Sequence, residues 1–413
     1  MPKKSISQTD VTGQRVLMRV DFNVPIEHGA ISDDSRIVKA VESIRSVIDR
    51  GGQLVLMSHL GRPKGKPSAE FSLRPVAEHL GKLLKRPVAF VDECVGAKAD
   101  AAVAALKSGE VVLLENLRFH AAEDLIDKAK QNPDRLPTPD QRAAIDAFAN
   151  GLVKHADLYC NDAFGTCHRK HVSMYEVPMR LGPGRRVCGL LVERELRFLG
   201  EAMAAPVRPF VAILGGAKVS DKIKVIENLL PKVDSILIGG AMAFTFFASQ
   251  GIRIGKSLCE ADRLELAANL LMKANGKIHL PIDTVCAAEL KAGVATRTIE
   301  GDIPDGSMGL DIGAKTMAAY HDVIAAARTV VWNGPMGVFE TPPFDAGTTA
   351  IATAMVQATR NGATTIVGGG DSAAAVESAG LASQLTHIST GGGASLEFLE
   401  GKPFATIEIL DDA

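Results

Sequence analysis

Four arginines and several histidines fall in short polar segments that each follow an apolar run. These are Asp21-Phe22-Asn23-Val24-Pro25 with Arg36 shortly beyond, Ser58-His59-Leu60-Gly61-Arg62-Pro63, Glu115-Asn116-Leu117-Arg118-Phe119, and Asn161 to His171, which carries His168 and Arg169. Guanidinium forks bind carboxylate and phosphate oxygens in bidentate fashion, so several of them on one edge suit a small anion of multiple charge. Taken singly, each Arg reads as well as a solvated or salt-bridged surface residue, and each His as a structural one. Their shared placement is what favours an anion site. Asp21 and Asn23 are either turn residues or partners for a substrate hydroxyl.

The second half carries a different chemistry. Ile213 to Lys222 (ILGGAKVSDK) follows an apolar run, and its paired glycines Gly215 and Gly216 would let backbone approach a ligand closely. It matches neither GxxxxGK[ST] nor GxGxxG. If a helix begins near Ala217, Lys218 and Lys222 lie one turn apart on a common face, where two cations oppose the helix dipole unless an anion is bound. A solvated lysine pair is the plain alternative. Gly368-Gly369-Gly370-Asp371-Ser372 repeats the glycine loop with a carboxylate and a hydroxyl, which suits magnesium beside phosphate but also a simple helix cap. Thr390 to Ser395 is a third such loop. Met308 to Asp311 and Trp332 to Glu340, containing Gly309, Asn333 and Glu340, would supply apolar walls and a carboxylate for a base and a ribose.

Elements that could position these loops are legible as an alternation of strands and helices. Strands are expected at Arg15–Phe22, Gln53–Met57, Pro87–Val91, Val111–Glu115 and Asp157–Asn161, with a helix from Ile37 ending at Gly51-Gly52. Residues 121–140 are polar with three prolines and read as an irregular excursion before a helix near Arg142–Leu152. Pro178–Arg186 has linker composition. A helix over Leu190–Ala204 follows, then strands at Phe210–Leu214, Ser235–Ile238, Val330–Trp332 and Thr365–Val367. This order predicts parallel sheets covered on both faces, with ligands outside the carboxyl ends of the strands.

At 413 residues the chain should form two domains. With 46 Lys and Arg against 48 Asp and Glu it lacks the basic excess of a nucleic-acid binder, so no nucleic-acid partner is expected. No apolar stretch approaches the roughly 20 residues of a membrane span, and no membrane association is expected. The start, Met1-Pro2-Lys3-Lys4-Ser5, lacks the apolar run of a secretory leader, which sets a cytoplasmic expectation. Six scattered cysteines have no CxxC spacing and read as reduced thiols.

Ten segments in order, RVDFNVP, MSHLGRP, LLENLRF, NDAFGTCHRKH, ILGGAKVSDKI, IGGAMAFTF, MGLDIG, VWNGPMGVFE, IVGGGDS and STGGGASLEFLEGK, resemble the phosphoglycerate kinase family over nearly the whole chain. The resemblance implies two Rossmann-like α/β/α domains with parallel sheets, joined by a hinge: residues 1–186 for 3-phosphoglycerate or 1,3-bisphosphoglycerate, and 187–399 for the nucleotide. The tail from about 400 to 413 would pack back on the first domain. It implies Asp21, Phe22, Asn23, Arg36, His59, Leu60, Gly61, Arg62, Arg118, His168 and Arg169 as substrate-binding residues. The nucleotide, ADP or ATP with Mg²⁺, would meet Gly215, Lys218, Lys222, Gly309, Asn333, Glu340, Gly369, Gly370, Asp371 and Ser372, with Asp371 on the metal. Arg36, Lys218 and the amides near Gly370 and Gly393 would stabilise the transferring phosphoryl group. Domain closure and a monomeric state are implied as well. Ser372 stands where the family often has Thr, and Cys167 and Lys170 replace the usual alanines; none of these removes a needed group.

Two rival readings remain open from the residues. A dinucleotide-dependent oxidoreductase shares glycine loops and parallel sheets but should show GxGxxG after a first strand and an acidic residue about 20 positions on. A non-catalytic binding protein on the same fold should have lost Arg36, Lys218 or Asp371, and all three are present.

Overall fold

A computed structural model describes residues 2–413. The chain divides into two compact units, one reaching Arg197 and including Pro403–Ala413, the other spanning Phe198–Lys402.

The first unit alternates strands and helices as β1 (Arg15–Val20), a small hairpin β2 (Ile26–Glu27) and β3 (Ala30–Ile31), α1 (Ser35–Ile48), β4 (Gln53–Met57), α2 (Arg74–Leu84), β5 (Ala89–Val91) and α3 (Ala97–Ala104). It continues with β6 (Val111–Leu114), α4 (Leu125–Lys128), α5 (Pro139–Val153), β7 (Leu158–Asp162), α6 (Val177–Leu181) and β8 (Arg186–Cys188), then enters α7 (Leu190–Ala204). Six strands form one parallel sheet in the order β5-β6-β4-β1-β7-β8. Apolar runs such as Val111–Leu114 are buried throughout, as a parallel strand covered on both faces requires. The core gathers Val16, Met18 and Leu56 from the strands with Ile37, Ile44 and Leu80 from α1 and α2.

Two segments differ from their sequence reading. Pro178–Arg186, expected to be a linker, runs instead through α6 into β8, which pairs with β7 at Cys160↔Val187. Its prolines and glycines sit at the helix start and in the turn, and the short apolar Val187-Cys188 supplies a buried edge strand. Residues 121–140 are not irregular throughout. They fold as successive short helical turns, Ala121–Asp124, Leu125–Lys128 and Ala129–Gln131, before a capping box of Thr138 and Gln141 opens α5.

The second unit takes the rest of α7 and adds β9 (Phe210–Leu214), α8 (Ile223–Leu229), β10 (Ser235–Ile238), α9 (Met242–Ser249), α10 (Leu264–Ala274), β11 (Ile278–His279), β12 (Asp283–Ala287), β13 (Arg297–Glu300) and β14 (Met308–Ile312). It closes with α11 (Ala314–Ala326), β15 (Thr329–Asn333), α12 (Ala346–Arg360), β16 (Thr364–Gly368), α13 (Gly370–Ser378), β17 (His387–Ile388) and α14 (Gly393–Leu399). Its main sheet is again parallel and six-stranded, in the order β11-β10-β9-β15-β16-β17. An additional antiparallel sheet, β13-β12-β14, was not legible in the sequence. Its strand β13 is almost wholly exposed, so no apolar run marks it.

After Lys402 the chain returns to the first unit as α15 (Ala405–Glu408). There Thr406 Oγ1 donates to the Cys167 carbonyl at 2.5 Å, and Asp411 N to the Arg186 carbonyl at 2.8 Å. No helix among the described residues is long and apolar enough to cross a membrane.

Candidate active site

The loop after β1 folds back because Ser58 Oγ accepts from Phe22 N (2.9 Å) and Asn23 Oδ1 accepts from Gly61 N (2.8 Å). These bonds tie the Asp21–Asn23 loop to the His59–Arg62 loop after β4. Asn116, beyond β6, fastens the second loop from the other side: its Oδ1 accepts from Leu60 N and its Nδ2 donates to Leu60 O at 2.7 Å. Phe22 and Leu60 are buried, so they anchor these loops to the core. Arg118 Nη1 reaches the Gly61 carbonyl at 2.7 Å.

Arg36, in the first turn of α1, donates to Asp21 Oδ2 at 2.8 Å. Its side chain remains 39% exposed, so the pair leaves donors free for an incoming anion. Arg169 Nε donates to His168 Nε2 at 2.9 Å. Arg62 is exposed on the loop after β4.

Electrostatics show which of these residues converge. Burial holds the His59 imidazole well below its ordinary range, and Arg19, Arg118, His171 and Arg36 push it further the same way. Burial, then Arg19, Arg118, Arg169 and His168, bring His171 down to about 2. Arg118 lies below its usual value for the same reasons: burial first, then Arg19 and Arg169. Arginines on β1, α1 and the loops after β6 and β7 thus share a single positive field that opposes protonation of His59 and His171, and an anion would relieve it. Arg19 and His171 belong to this cluster although the sequence reading gave Arg19 no role. The signal for Arg19 is a charged residue inside the otherwise apolar run Val16–Val20.

In the second unit the glycine loops build two adjoining cavities of about 520 and 720 Å³, with Gly216, Ala217, Pro335 and Asp371 lining both. The smaller is apolar, walled by Phe244, Leu258, Leu290, Gly309 and Val338, with Glu340 on its lining. The larger is lined by Gly215, Lys218, Lys222, Asn333, Gly369, Gly370, Ser372 and Gly393. Gly215 is required by close approach, since a Cβ there would fall 2.0 Å from the Pro335 carbonyl oxygen. Leu258 and Leu290 carry no signal in the sequence because each is an isolated apolar residue, whereas Phe244 lies within the segment IGGAMAFTF but shares its apolar character with the neighbours that bury in the core.

The expected helix at Ala217 does not form. Helix α8 begins at Ile223, because Ser220 is held on Glu260 through both its amide and its hydroxyl and Lys222 N closes a turn on Val219 O. Lys218 is therefore exposed on a loop, whereas Lys222 is buried at the helix cap with its Nζ on Asn333 Oδ1. Burial lowers Lys222 to about 8, against the opposing pull of Asp221, Asp371 and Glu400. The amide Nδ2 of Asn333 is buried without a hydrogen-bond partner, a donor available to a ligand.

Helix α13 starts from Gly369, whose φ of +92° no ordinary side chain adopts comfortably. Neither Asp371 nor Ser372 caps it. Ser372 Oγ accepts from Gly334 N at 2.7 Å and so joins two glycine loops, while Asp371 stays exposed in the first turn. No group of three or more His, Cys, Asp and Glu gathers as a metal cage among the described residues. A hard carboxylate beside helix-start amides fits magnesium, which takes one or two carboxylates and completes its shell with phosphate and water.

A cation cluster on the loops of one parallel sheet, and glycine-walled cavities on those of another, define a parallel α/β protein that takes ligands outside its strand ends. The comparisons make the class specific. A family model described as phosphoglycerate kinase matches residues 6–402. Phosphoglycerate kinases of Chlorobium limicola and Rhodopirellula baltica are 53% and 50% identical, each over 100% of both chains. The solved phosphoglycerate kinase of Coxiella burnetii superposes with a TM-score of 0.85 at 38% identity, covering 99% of this chain and 98% of that one. That of Pyrococcus horikoshii gives 0.80 at 30%, covering 98% of each. The chain belongs to the phosphoglycerate kinase family and is, with it, a kinase.

Proposed function

We propose that the protein catalyses reversible, magnesium-dependent phosphoryl transfer between 1,3-bisphosphoglycerate and ADP, giving 3-phosphoglycerate and ATP, as a cytoplasmic monomer of glycolysis and gluconeogenesis. The observation that carries the reading is the pairing of a convergent cation cluster on one unit with adjoining apolar and glycine-amide cavities on the other. A small anion suits the first, and a base with its phosphates suits the second.

In this reading Asp21, Asn23, His59, Arg62, Arg118, His168 and Arg169 bind phosphoglycerate, with Phe22, Leu60 and Gly61 shaping the loops. Gly309, Phe244 and Val338 cover the adenine, and Glu340 meets the ribose. Lys222, Asn333 and the amides of Gly215, Gly369 and Gly370 hold phosphate oxygens, while Ser372 fixes the loop. Asp371 would hold magnesium, which when bound neutralises charge on the nucleotide phosphates. In the direction of ATP consumption, a carboxylate oxygen of 3-phosphoglycerate forms a bond to the terminal phosphorus as the bond to the ADP oxygen breaks. No proton needs removing from an ionised carboxylate, so the chain needs no general base. Its residues position the partners and neutralise developing charge. Exposed Arg36 and Lys218, with the amides near Gly370 and Gly393, are suited to the transferring group. The two half-sites belong to separate units, so the reading includes a closing motion that unites them and excludes water.

The test follows ADP release from ATP and Mg²⁺ upon addition of 3-phosphoglycerate. Turnover that requires all three supports the reading. A folded sample without turnover refutes it.

A further inference from the structure

A chain of buried polar groups leads through the cation cluster to His59, and the transfer chemistry gives no role to its members Glu123, Ser173 and Arg19. Glu123, Ser173 and Arg19 are fully buried, and His59 is 4% exposed. Glu123 comes from the helical turns of residues 121–128, Ser173 from a π-helical turn over Val172–Glu176, and Arg19 from β1, where it pairs with Met57 and Asn161. Ser173 Oγ donates to Glu123 Oε1 at 2.6 Å, and Ser173 N to Oε2 at 3.0 Å. Arg19 Nε donates to Ser173 Oγ at 3.0 Å, its Nη1 to the Val20 carbonyl, and its Nη2 lies 3.2 Å from His59 Nδ1.

Donor direction is forced along this chain. A guanidinium has five donors and no acceptor, so Ser173 Oγ must accept from Arg19, which leaves its own hydrogen for Glu123. The same reasoning makes His59 Nδ1 the acceptor from Nη2. A neutral imidazole that accepts at one nitrogen carries its proton on the other. The competing partner for Nδ1 is Asp21 Oδ1, which at 3.9 Å is beyond hydrogen-bond reach.

We infer that Arg19, tethered through Ser173 to Glu123, is a positioning residue that fixes His59 as the neutral Nε2–H tautomer, so that His59 offers a substrate oxygen a hydrogen-bond donor and acts neither as base nor as cation. This deepens the proposed function and rests on it for the identity of the substrate, 3-phosphoglycerate. The charged groups that face His59 agree: Arg19 on β1, Arg36 on α1, Arg118 beyond β6 and His171 before the π-helical turn all oppose its protonation, and Asp21 is engaged by Arg36. The arrangement also gives residues 121–128 a purpose. They carry the buried carboxylate of Glu123 to Ser173, where the positive charge of Arg19 opposes the upward push of burial on that carboxyl.

Long-range ¹⁵N–¹H spectra of the ligand-free protein test this directly, with His59 assigned from the signal lost in His59→Gln. We expect Nδ1 in the unprotonated range and Nε2 in the protonated range, unchanged between pH 6 and 8. A proton on Nδ1, or an imidazolium titrating in that interval, overturns the inference. Arg19→Met should mix the two tautomers and raise KM for 3-phosphoglycerate by about tenfold, with KM for ATP unchanged, the loss of one oriented hydrogen bond. Should that variant not fold, Ser173→Ala removes only the tether, and the same spectral change is expected. An unaltered His59 signal in either folded variant overturns the role of Arg19. The two layers separate cleanly. An active enzyme with the proton on Nδ1 refutes the tautomer and leaves the function standing. An inactive folded protein with the proton on Nε2 refutes the function and leaves the tautomer standing.

Discussion

The two units offer charged ligands different materials. The first uses side chains: guanidinium and imidazole groups on or beside loops of which those after β1, β4 and β6 are tied to one another through Ser58, Asn23 and Asn116, with Arg36 held by Asp21. The second uses main chain: loops at Gly215, Gly334 and Gly369 whose lack of Cβ lets the backbone itself line the cavity, with Lys222, Asn333 and Ser372 as buried polar side chains. A small anion has few atoms and much charge, so it is recognised by counting and placing cations. A nucleotide has a long phosphate tail and an apolar base, which a train of amides followed by an apolar wall can track. The first design tolerates no loss of a cation. The second should be sensitive to added volume, most of all at Gly215 and Gly334, where a Cβ would fall 2.0 and 2.2 Å from backbone atoms.

The sharpest way to break that contrast is Arg36→Ala. If the first unit works through its cations, turnover should fall by about 10²–10³-fold, the cost of removing one donor aimed at developing charge. MgADP affinity, measured by calorimetry on the same sample, should stay within about twofold. A matching loss of nucleotide affinity would mean the two half-sites are not independent.

The complementary test adds a single methyl group to the second unit. Gly369→Ala places a side chain at φ +92°, ψ 144° and 3.0 Å from Asn333 Nδ2. Strain of this kind costs about 1–3 kcal/mol. Thermal unfolding should shift down accordingly and MgADP binding weaken, while the tautomer of His59 stays as it is. An unchanged melting temperature and unchanged nucleotide affinity would show that this loop does not depend on its glycine.

The sequence exposed the two designs unequally. Parallel strands such as Gln53–Met57 and Phe210–Leu214 announce themselves as apolar runs, and the loops after them carry the polar residues, so the edge of each sheet where polar loops gather is readable. What stayed hidden depended on tertiary partners. Ser220 bonds Glu260, 40 residues away, and that bond moves the start of α8 to Ile223, against a local pattern that favoured Ala217. The edge strand Arg186–Cys188 looks like a linker because a short edge strand needs little apolar sequence. Arg19 and Glu123 were invisible as partners: 104 positions separate them, and only the pairing of β1 with β4 and β7 and the turn at Ala121–Asp124 bring both to Ser173.

The smallest effect we predict is also the one that compares the units within a single experiment. Lys222 sits at about 8 because burial disfavours its ammonium, whereas a bound phosphate favours that charged form. Below pH 8 the free protein already carries the proton, so MgADP affinity should be flat. Above pH 8 binding must take up a proton, and affinity should fall to about one-tenth at pH 9 relative to pH 7. The stability of the ligand-free protein moves the other way. The unfolded lysine keeps its proton to higher pH than the folded one, so this group's contribution to stability rises as pH climbs through 8. In the first unit His59 and His171 are held below this window, so 3-phosphoglycerate affinity should not change over the same interval. Calorimetric titrations of each ligand from pH 7 to 9.5 check both halves. A flat MgADP profile would remove Lys222 from the phosphate contacts. Parallel decline of both ligands would assign the titration to something the two units share, and the contrast between side-chain and main-chain recognition would no longer account for it.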